Sequence, residues 1–337
     1  MDAGRIATQV ARIAANAEEP ADRARSLLEP LHELLPFDGA WLALRHASLR
    51  GHRSLVSIGW DRRTAACLDG PGLVDEVEQL GRSNSRTPAR GADFSAITGL
   101  RFWAECLQPA GIREGLGLSL FAPDGRHVGF LGLFTGSPTV PSDAARDLLA
   151  ALGPTLGQAV DPMRSATAAA QLVHSAAAAV VLSRNGAPQL LPGLPDHPAL
   201  RPGSPALTAA RELLDGPQTS FLVPAAAEPG GYLRVTGLLV PAQAPHHLRA
   251  IVVVSPCGNL QGLTRRELEV LGLLIAGEHN VQAAQRLAVT RRTIATHIEH
   301  ILVKLDAGTR ALAAVRAQRR GLFIPPVLLG VTAGSTP

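Results

Sequence analysis

Arg291, Arg292, Thr293, Thr296, Glu299, His300 and Lys304 are seven polar side chains within fourteen consecutive residues, and their spacing decides what they can do together. On a helix, at about 100° per residue, Ile294, Ile298, Ile301, Leu302 and Leu305 gather on one side. Arg292, Thr296, His300 and Val303 then fall opposite, with Thr293 and Glu299 on the flanks. Lys304, the only lysine in the chain, lies further round. A helix face with Arg, Thr and His near its start suits the major groove of DNA, which admits one helix and offers acceptors on guanine. Arg291, Arg292 and the helix's amino end can hold phosphate. On charge alone, the same residues would equally serve as the solvated face of a small helical bundle.

Such a helix needs a frame. Thr264 and Glu267 form a capping box, which predicts a helix start. Leu268, Leu271, Leu274 and Ile275 recur at helical spacing, and Gly277 ends the run. Asn280 is expected to cap a second helix that buries Ala284 and Leu287. Thr290 is expected to cap the third, over roughly 291–305. Gly308-Thr309 restarts the chain into a fourth helix, with Leu312 and Val315 on its inner face.

The frame resembles the LuxR-type (GerE-like) helix-turn-helix of bacterial transcription regulators. The matching residues are Leu263-Thr264, Arg266-Glu267, Glu269-Val270-Leu271, Gly277, Asn280, Ala284, Leu287, Thr293-Ile294, His297, Ile301, Lys304-Leu305, Arg310, Ala313 and Gly321-Leu322. The resemblance implies double-stranded DNA as partner and a homodimer formed through the fourth helix, with Leu312 and Val315 at the contact. RNA polymerase is a further partner of such regulators. Lys304, at the far end of the reading helix, is expected to meet phosphate. Two departures bear on base reading: Ala295 and Glu299 stand where many relatives carry a basic or polar reader. Glu299 could accept from a cytosine amino group or repel phosphate. Ala283 replaces a usual isoleucine, a core change.

Charge is distributed as this reading requires. Residues 262–324 carry ten Arg or Lys against five Asp or Glu, a net of +5; the rest carries 22 against 23, a net of −1. The basic excess is confined to one module, as in a chain that meets nucleic acid only there. Cys67, Cys106 and Cys257 show neither CxxC pairing nor zinc spacing and read as small buried hydrophobes. Their odd number and the lack of a signal peptide suggest the reducing cytoplasm. No apolar run reaches 18 residues, so no membrane span is expected. No metal or cofactor motif is present; His246-His247 reads as a polar turn.

The amino-terminal part opens with helical patterns around Ile6, Val10 and Ile13 and around Leu27 to Leu35. Strands follow at Trp41–Leu44 and Ser54–Ile58, then an Arg-, Gly- and Pro-rich excursion over 61–100 with a helical patch near Gly72–Leu80. A hairpin joins 112–121 to 127–134 through Pro123-Asp124-Gly125, and Ser142 caps a closing helix. The order, and above all HVGFLGLF followed by TVPSDAARDLLAALGPTLGQAV, resembles a GAF domain. Such domains often bind a small molecule between an antiparallel sheet and excursion loops, where Phe94, Phe102 and Trp103 would lie. The same aromatic residues could be ordinary core anchors.

A connecting helix is expected over 162–178. Strand candidates follow at Ala179–Leu182, Tyr232–Leu239 and Leu248–Val254, with 187–231 broken by Pro and Gly, a faintly PAS-like pattern. The expected whole is an α+β multidomain chain. Residues 1–161 form a GAF-like antiparallel sheet with flanking helices, 162–258 a connecting helix and PAS-like middle region, 259–325 a four-helix LuxR-type helix-turn-helix, and 326–337 a tail. The function expected is DNA-bound transcription regulation with an input from the amino-terminal domains, through a small-molecule effector. One alternative is an acyl-homoserine-lactone-type receptor, although the first 231 residues lack tyrosine. A second, of another class, is a thiol-based enzyme using Cys67 and Cys106, with Arg62, Arg63 and Arg113 nearby; no catalytic motif supports it.

Overall fold

A computed structural model describes residues 2–16, 18–45, 52–70, 85–93, 101–183, 188–214, 218–225, 231–240 and 248–329. The expected helical patch at Gly72–Leu80, Phe94 and His246-His247 lie outside the described residues. The chain divides between Ser165 and Ala166 into two compact units, a few residues beyond the boundary expected after 161.

In the first unit, α1 (Ala3–Ala15) and α2 (Pro20–Leu34) bury the stripes read from their spacing, Ile6, Val10 and Ile13 on one and Leu27, Leu28, Leu31 and Leu34 on the other. They are followed by β1 (Gly39–Arg45), β2 (His52–Ile58), α3 (Arg62–Leu68) and the short β3 (Ala89–Arg90). A π-helical turn, Trp103–Leu107, precedes the hairpin of β4 (Glu114–Phe121) and β5 (His127–Thr135), and α4 (Asp143–Val160) closes the unit. The sheet has the order β2-β1-β5-β4-β3 and is antiparallel throughout. Alternation sends Leu42, Leu44, Leu116, Leu118 and Leu120 to one face, where α1, α2 and α4 cover them. Trp41, Ala43 and Phe134 take the other face and pack against Leu68, Phe102, Trp103 and Leu107. Phe102 and Trp103 are thus core anchors holding the π-turn to the sheet. α3 and the π-turn were missed in sequence because a seven-residue helix and a single π-turn carry too few apolar repeats to show a period.

α5 (Pro162–Gln171) leads into the second unit and is shorter than the expected 162–178. There β6 (Ala178–Ser183), β7 (Gln189–Leu190), β8 (Gln218–Pro224), β9 (Tyr232–Leu239) and β10 (Leu248–Pro256) form an antiparallel sheet in the order β7-β6-β10-β9-β8. The stretch broken by Pro and Gly, for which no element was expected, contains α6 (Pro205–Leu213) as well as β8. Ser204 caps α6 through Leu207 N, and Pro205 is its first residue, a start signal that looks like a breaker when read without its cap.

Four helices complete the unit: α7 (Arg265–Ile275), α8 (Asn280–Arg286), α9 (Arg291–Lys304) and α10 (Arg310–Arg320). No break separates them from the sheet at the expected 258/259 boundary. One core runs from Val180, Phe221, Val235 and Val252 of the sheet through Leu268 and Leu271 of α7 to Ile294 and Ile301 of α9. The segment after α10 joins the two layers. Gly321, at φ +60°, ends α10 in the left-handed conformation that glycine adopts without strain. Phe323 O then accepts from Leu222 N at 2.8 Å, and Ile324 N donates to Leu268 O at 3.1 Å. The rings of Phe221 and Phe323 lie 6.5 Å apart. A Cβ at Gly272 would run into the Ile324 carbonyl, so the approach of this segment to α7 needs glycine there. Residues 326–328, expected to be tail, form a 3-10 turn that buries Leu328.

The inner face of α10 also differs from expectation. Ala313 and Ala317 are buried, whereas Leu312 and Val315 are 39% and 44% exposed. Small side chains let α10 lie close against α7, which leaves the larger ones outside. The shared core has a measurable consequence: Phe323→Ala should cost about 3–5 kcal/mol, as buried Phe truncations do, in denaturant unfolding of the full chain. A cost under about 1 kcal/mol would show that the sheet and the four helices do not share that core.

Candidate nucleic-acid interface

α9 is held in place from both ends. Thr290 accepts from Thr293 N at 3.1 Å and so caps its start, as read from sequence. Inward, Ile294, Ile301 and Leu305 are buried and Ile298 and Leu302 pack against the same core. Outward, Arg291, Arg292, Thr296, Glu299, His300 and Val303 are exposed, and Thr293 is half-buried. Arg292, Thr296, Glu299 and Val303 therefore form one stripe at helical spacing. Thr296 Oγ1 donates to Arg292 O at 3.2 Å, which uses its one proton and leaves the oxygen able to accept.

At its far end α9 is fastened by Lys304. The ammonium donates to both carboxylate oxygens of Glu267, at 2.9 and 2.7 Å, and Glu267 is 2% exposed. The same carboxylate accepts from Thr264 N at 2.7 Å, while Thr264 Oγ1 accepts from Glu267 N at 3.3 Å. The capping box of α7 and the end of α9 are thus one polar cluster, with His300 Nδ1 at 3.9 Å from Glu267. Burial would push the Glu267 carboxyl up, but Lys304 and the Thr264 donors outweigh it and hold the group below the usual glutamate range. Lys304, expected to reach phosphate, is engaged inside the module instead.

Other acidic groups of the module are engaged likewise. Glu269 pairs with Arg265 and Arg266, Glu278 with Arg286, and Asp306 with Arg316. Four of the five carboxylates counted in sequence therefore face cations of the module itself. Among the described residues Arg291 and Arg292 at the start of α9 have no ion-pair partner, nor do Arg310, Arg319 and Arg320 of α10. One framing residue is misplaced in sequence: His279, not Asn280, occupies the cap of α8, with His279 N donating to Gln282 Oε1 at 2.9 Å. Asn280 is the first helical residue, and its Oδ1 is buried without a hydrogen-bond partner. The Lys304–Glu267 pair was missed because its members are 37 residues apart; a lone lysine beside buried helix ends was the available signal.

Residues 261–317 match the family profile described as bacterial regulatory proteins, luxR family. The chain is 45% identical over 62 residues to the transcriptional regulatory protein LiaR of Bacillus subtilis (strain 168), over 18% of this chain and 29% of that protein. It is 46% identical over 56 residues to the HTH-type transcriptional regulator MalT of Vibrio campbellii, over 17% and 6%. The chain spans less than a third of the length of either relative. Among solved structures, it is similar to Escherichia coli SdiA at 13% identity and TM-score 0.34, over 95% of this chain and 98% of that one. It is also similar to the A. aeolicus nlh2 GAF domain at 16% identity and TM-score 0.33, over 47% and 94%. The carboxy-terminal part of the chain is a luxR-family helix-turn-helix domain.

The polar cluster gives a test with a definite sign in pH. Glu267 titrates below its unfolded value, so its stabilisation is present above about pH 4.3 and is lost as pH falls through the lower folded value. Lys304→Ala should cost about 1–3 kcal/mol at neutral pH by removing two of the donors to a buried carboxylate. That deficit should shrink on acidification, and adding Glu267→Gln should recover part of it. A neutral Lys304→Ala in denaturant unfolding would remove the pair from any structural role.

Proposed function

We propose that the chain is a DNA-binding transcription regulator in which α9 enters the major groove and the amino-terminal sheet unit supplies the input. The observation that carries this is the sorting of charge in the luxR-family domain. Its carboxylates are mostly engaged in internal pairs, while Arg291 and Arg292 are exposed without an ion-pair partner at the start of α9 and Thr296 is exposed one turn on. A long arginine one turn before a short threonine suits a groove floor, with Arg292 reaching guanine and Thr296 a base edge or thymine methyl. Arg291, at the helix start, is placed for phosphate. Glu299, on the same stripe, favours cytosine and disfavours close backbone approach. Among the described residues no helix is long and apolar enough to cross a membrane.

The same reading includes a homodimer on DNA. Leu312 and Val315 of α10 are exposed apolar side chains, and a second copy meeting α10 across a two-fold axis would cover them. DNA sites are then near-palindromic, with half-sites about one helical turn apart.

Two experiments check this reading, both on DNA that the full chain selects from a random pool. Arg292→Ala and Thr296→Ala should each cost about 1–3 kcal/mol and relax base preference, whereas Arg291→Ala should weaken all sequences alike and lower the salt slope by about one. Binding that is indifferent to salt would contradict phosphate neutralisation. Val315→Glu should leave helicity intact and convert two-half-site binding to weak half-site binding. An unchanged stoichiometry on DNA would remove α10 from the dimer contact.

A further inference from the structure

Cys67 and Cys106 are 39 residues apart in sequence, yet the fold joins them in a disulfide with their Cα atoms 6.2 Å apart, inside the range that the bond requires. Cys67 lies on α3 and is half-buried; Cys106 lies in the π-turn and is 4% exposed. Both elements pack on the aromatic face of the first sheet, around Trp41 and Phe134. α3 has its own tie to that sheet. Asp69 Oδ1 accepts from Ser54 N at 2.9 Å and from Ser54 Oγ at 2.6 Å, and Ser54 Oγ in turn accepts from Trp41 Nε1 at 2.6 Å. The bond therefore couples the π-turn to an element that stays anchored without it. Cys257, the third cysteine, is buried in the other unit and remains a free thiol.

We propose that Cys67 and Cys106 form a reversible dithiol–disulfide couple that makes the amino-terminal unit a sensor of peroxide-class oxidants. This rests on the DNA-binding reading in one respect: bacterial DNA lies in a compartment kept reducing, where a disulfide is transient and informative rather than a permanent staple. The more accessible Cys67 attacks first. Its thiolate takes one oxygen from hydrogen peroxide, forming a sulfenic acid and releasing hydroxide, which is protonated to water. The Cys106 thiolate then attacks the Cys67 sulfur, forming the S–S bond as the second oxygen leaves as water. Overall two thiols lose two electrons and two protons, and one peroxide becomes two waters. Reduction by a thiol such as glutathione reverses the change through a mixed disulfide and frees the π-turn from α3.

The test reads the chemistry on the full chain and is independent of DNA. Protein reduced with dithiothreitol is freed of reductant, exposed to hydrogen peroxide, alkylated and digested. The expected product is a single linked peptide pair carrying Cys67 and Cys106, with alkylation of both falling to background and Cys257 still alkylated after denaturation. Reduced glutathione should restore both thiols, and amide exchange over 101–107 should rise with reduction. Cys257→Ser should behave as the parent, while Cys67→Ser and Cys106→Ser should each form no intramolecular link. Separate alkylation of the two residues after peroxide, links only between molecules, or a bond that glutathione leaves intact would each overturn the proposal. Loss of DNA binding alone would bear on the regulator reading and leave this one standing.

Discussion

The ion pair between the buried Glu267 and the partly exposed Lys304 is the constraint on which the placement of α9 depends. A carboxylate removed from water is tolerated only when its lone pairs are satisfied, and here one group meets three demands. It completes the capping box of α7, accepts two bonds from Lys304 and fixes the far end of α9. With Thr290 holding the near end, the outer stripe of α9 is set by contacts that involve no DNA. A surface placed in this way is preorganised, so little ordering cost remains when it meets a groove.

The continuous core of the second unit extends this rigidity. Because Leu222 and Phe323 pair by backbone and Arg234 reaches the carbonyls of Arg320 and Gly321 at the end of α10, the helices are not a bead on a string. Any movement of β8 or β9 bears directly on the end of the helix that carries Leu312 and Val315. The sheet and the exposed face of α10 are thereby mechanically linked within one unit, which under the proposed function is a route by which an input can reach DNA affinity without altering α9 itself.

Local chemistry was legible in the sequence and distant pairing was not. The capping box at Thr264, the cap at Thr290, the buried stripe of Ile294 and Ile301 and the 114–135 hairpin all follow from residues within a few positions of each other, where period and cap express themselves directly. Lys304 was expected at phosphate because its partner is 37 residues away and its position on the helical wheel lies to the side of the outer face, at the far end of the helix. The inner face of α10 was misassigned for a related reason: hydrophobicity favoured Leu312 and Val315, whereas close approach to α7 selected Ala313 and Ala317 by size. α6 and β8 were obscured by Pro205 and Pro224, which punctuate their ends rather than break them. The Cys67–Cys106 contact spans an excursion whose course no local pattern defines.

The most direct measurement removes the major-groove acceptor that Arg292 is held to read. Guanines in the selected DNA site are replaced one at a time by 7-deazaguanine, which lacks N7, and affinity is measured for the parent chain and for Arg292→Ala. At one guanine in each half-site the parent is expected to lose about tenfold in affinity, and Arg292→Ala, already weakened, is expected to lose nothing further there. Equal losses in both proteins, or none in the parent at any guanine, would contradict the placement of α9 in the major groove with Arg292 at the bases.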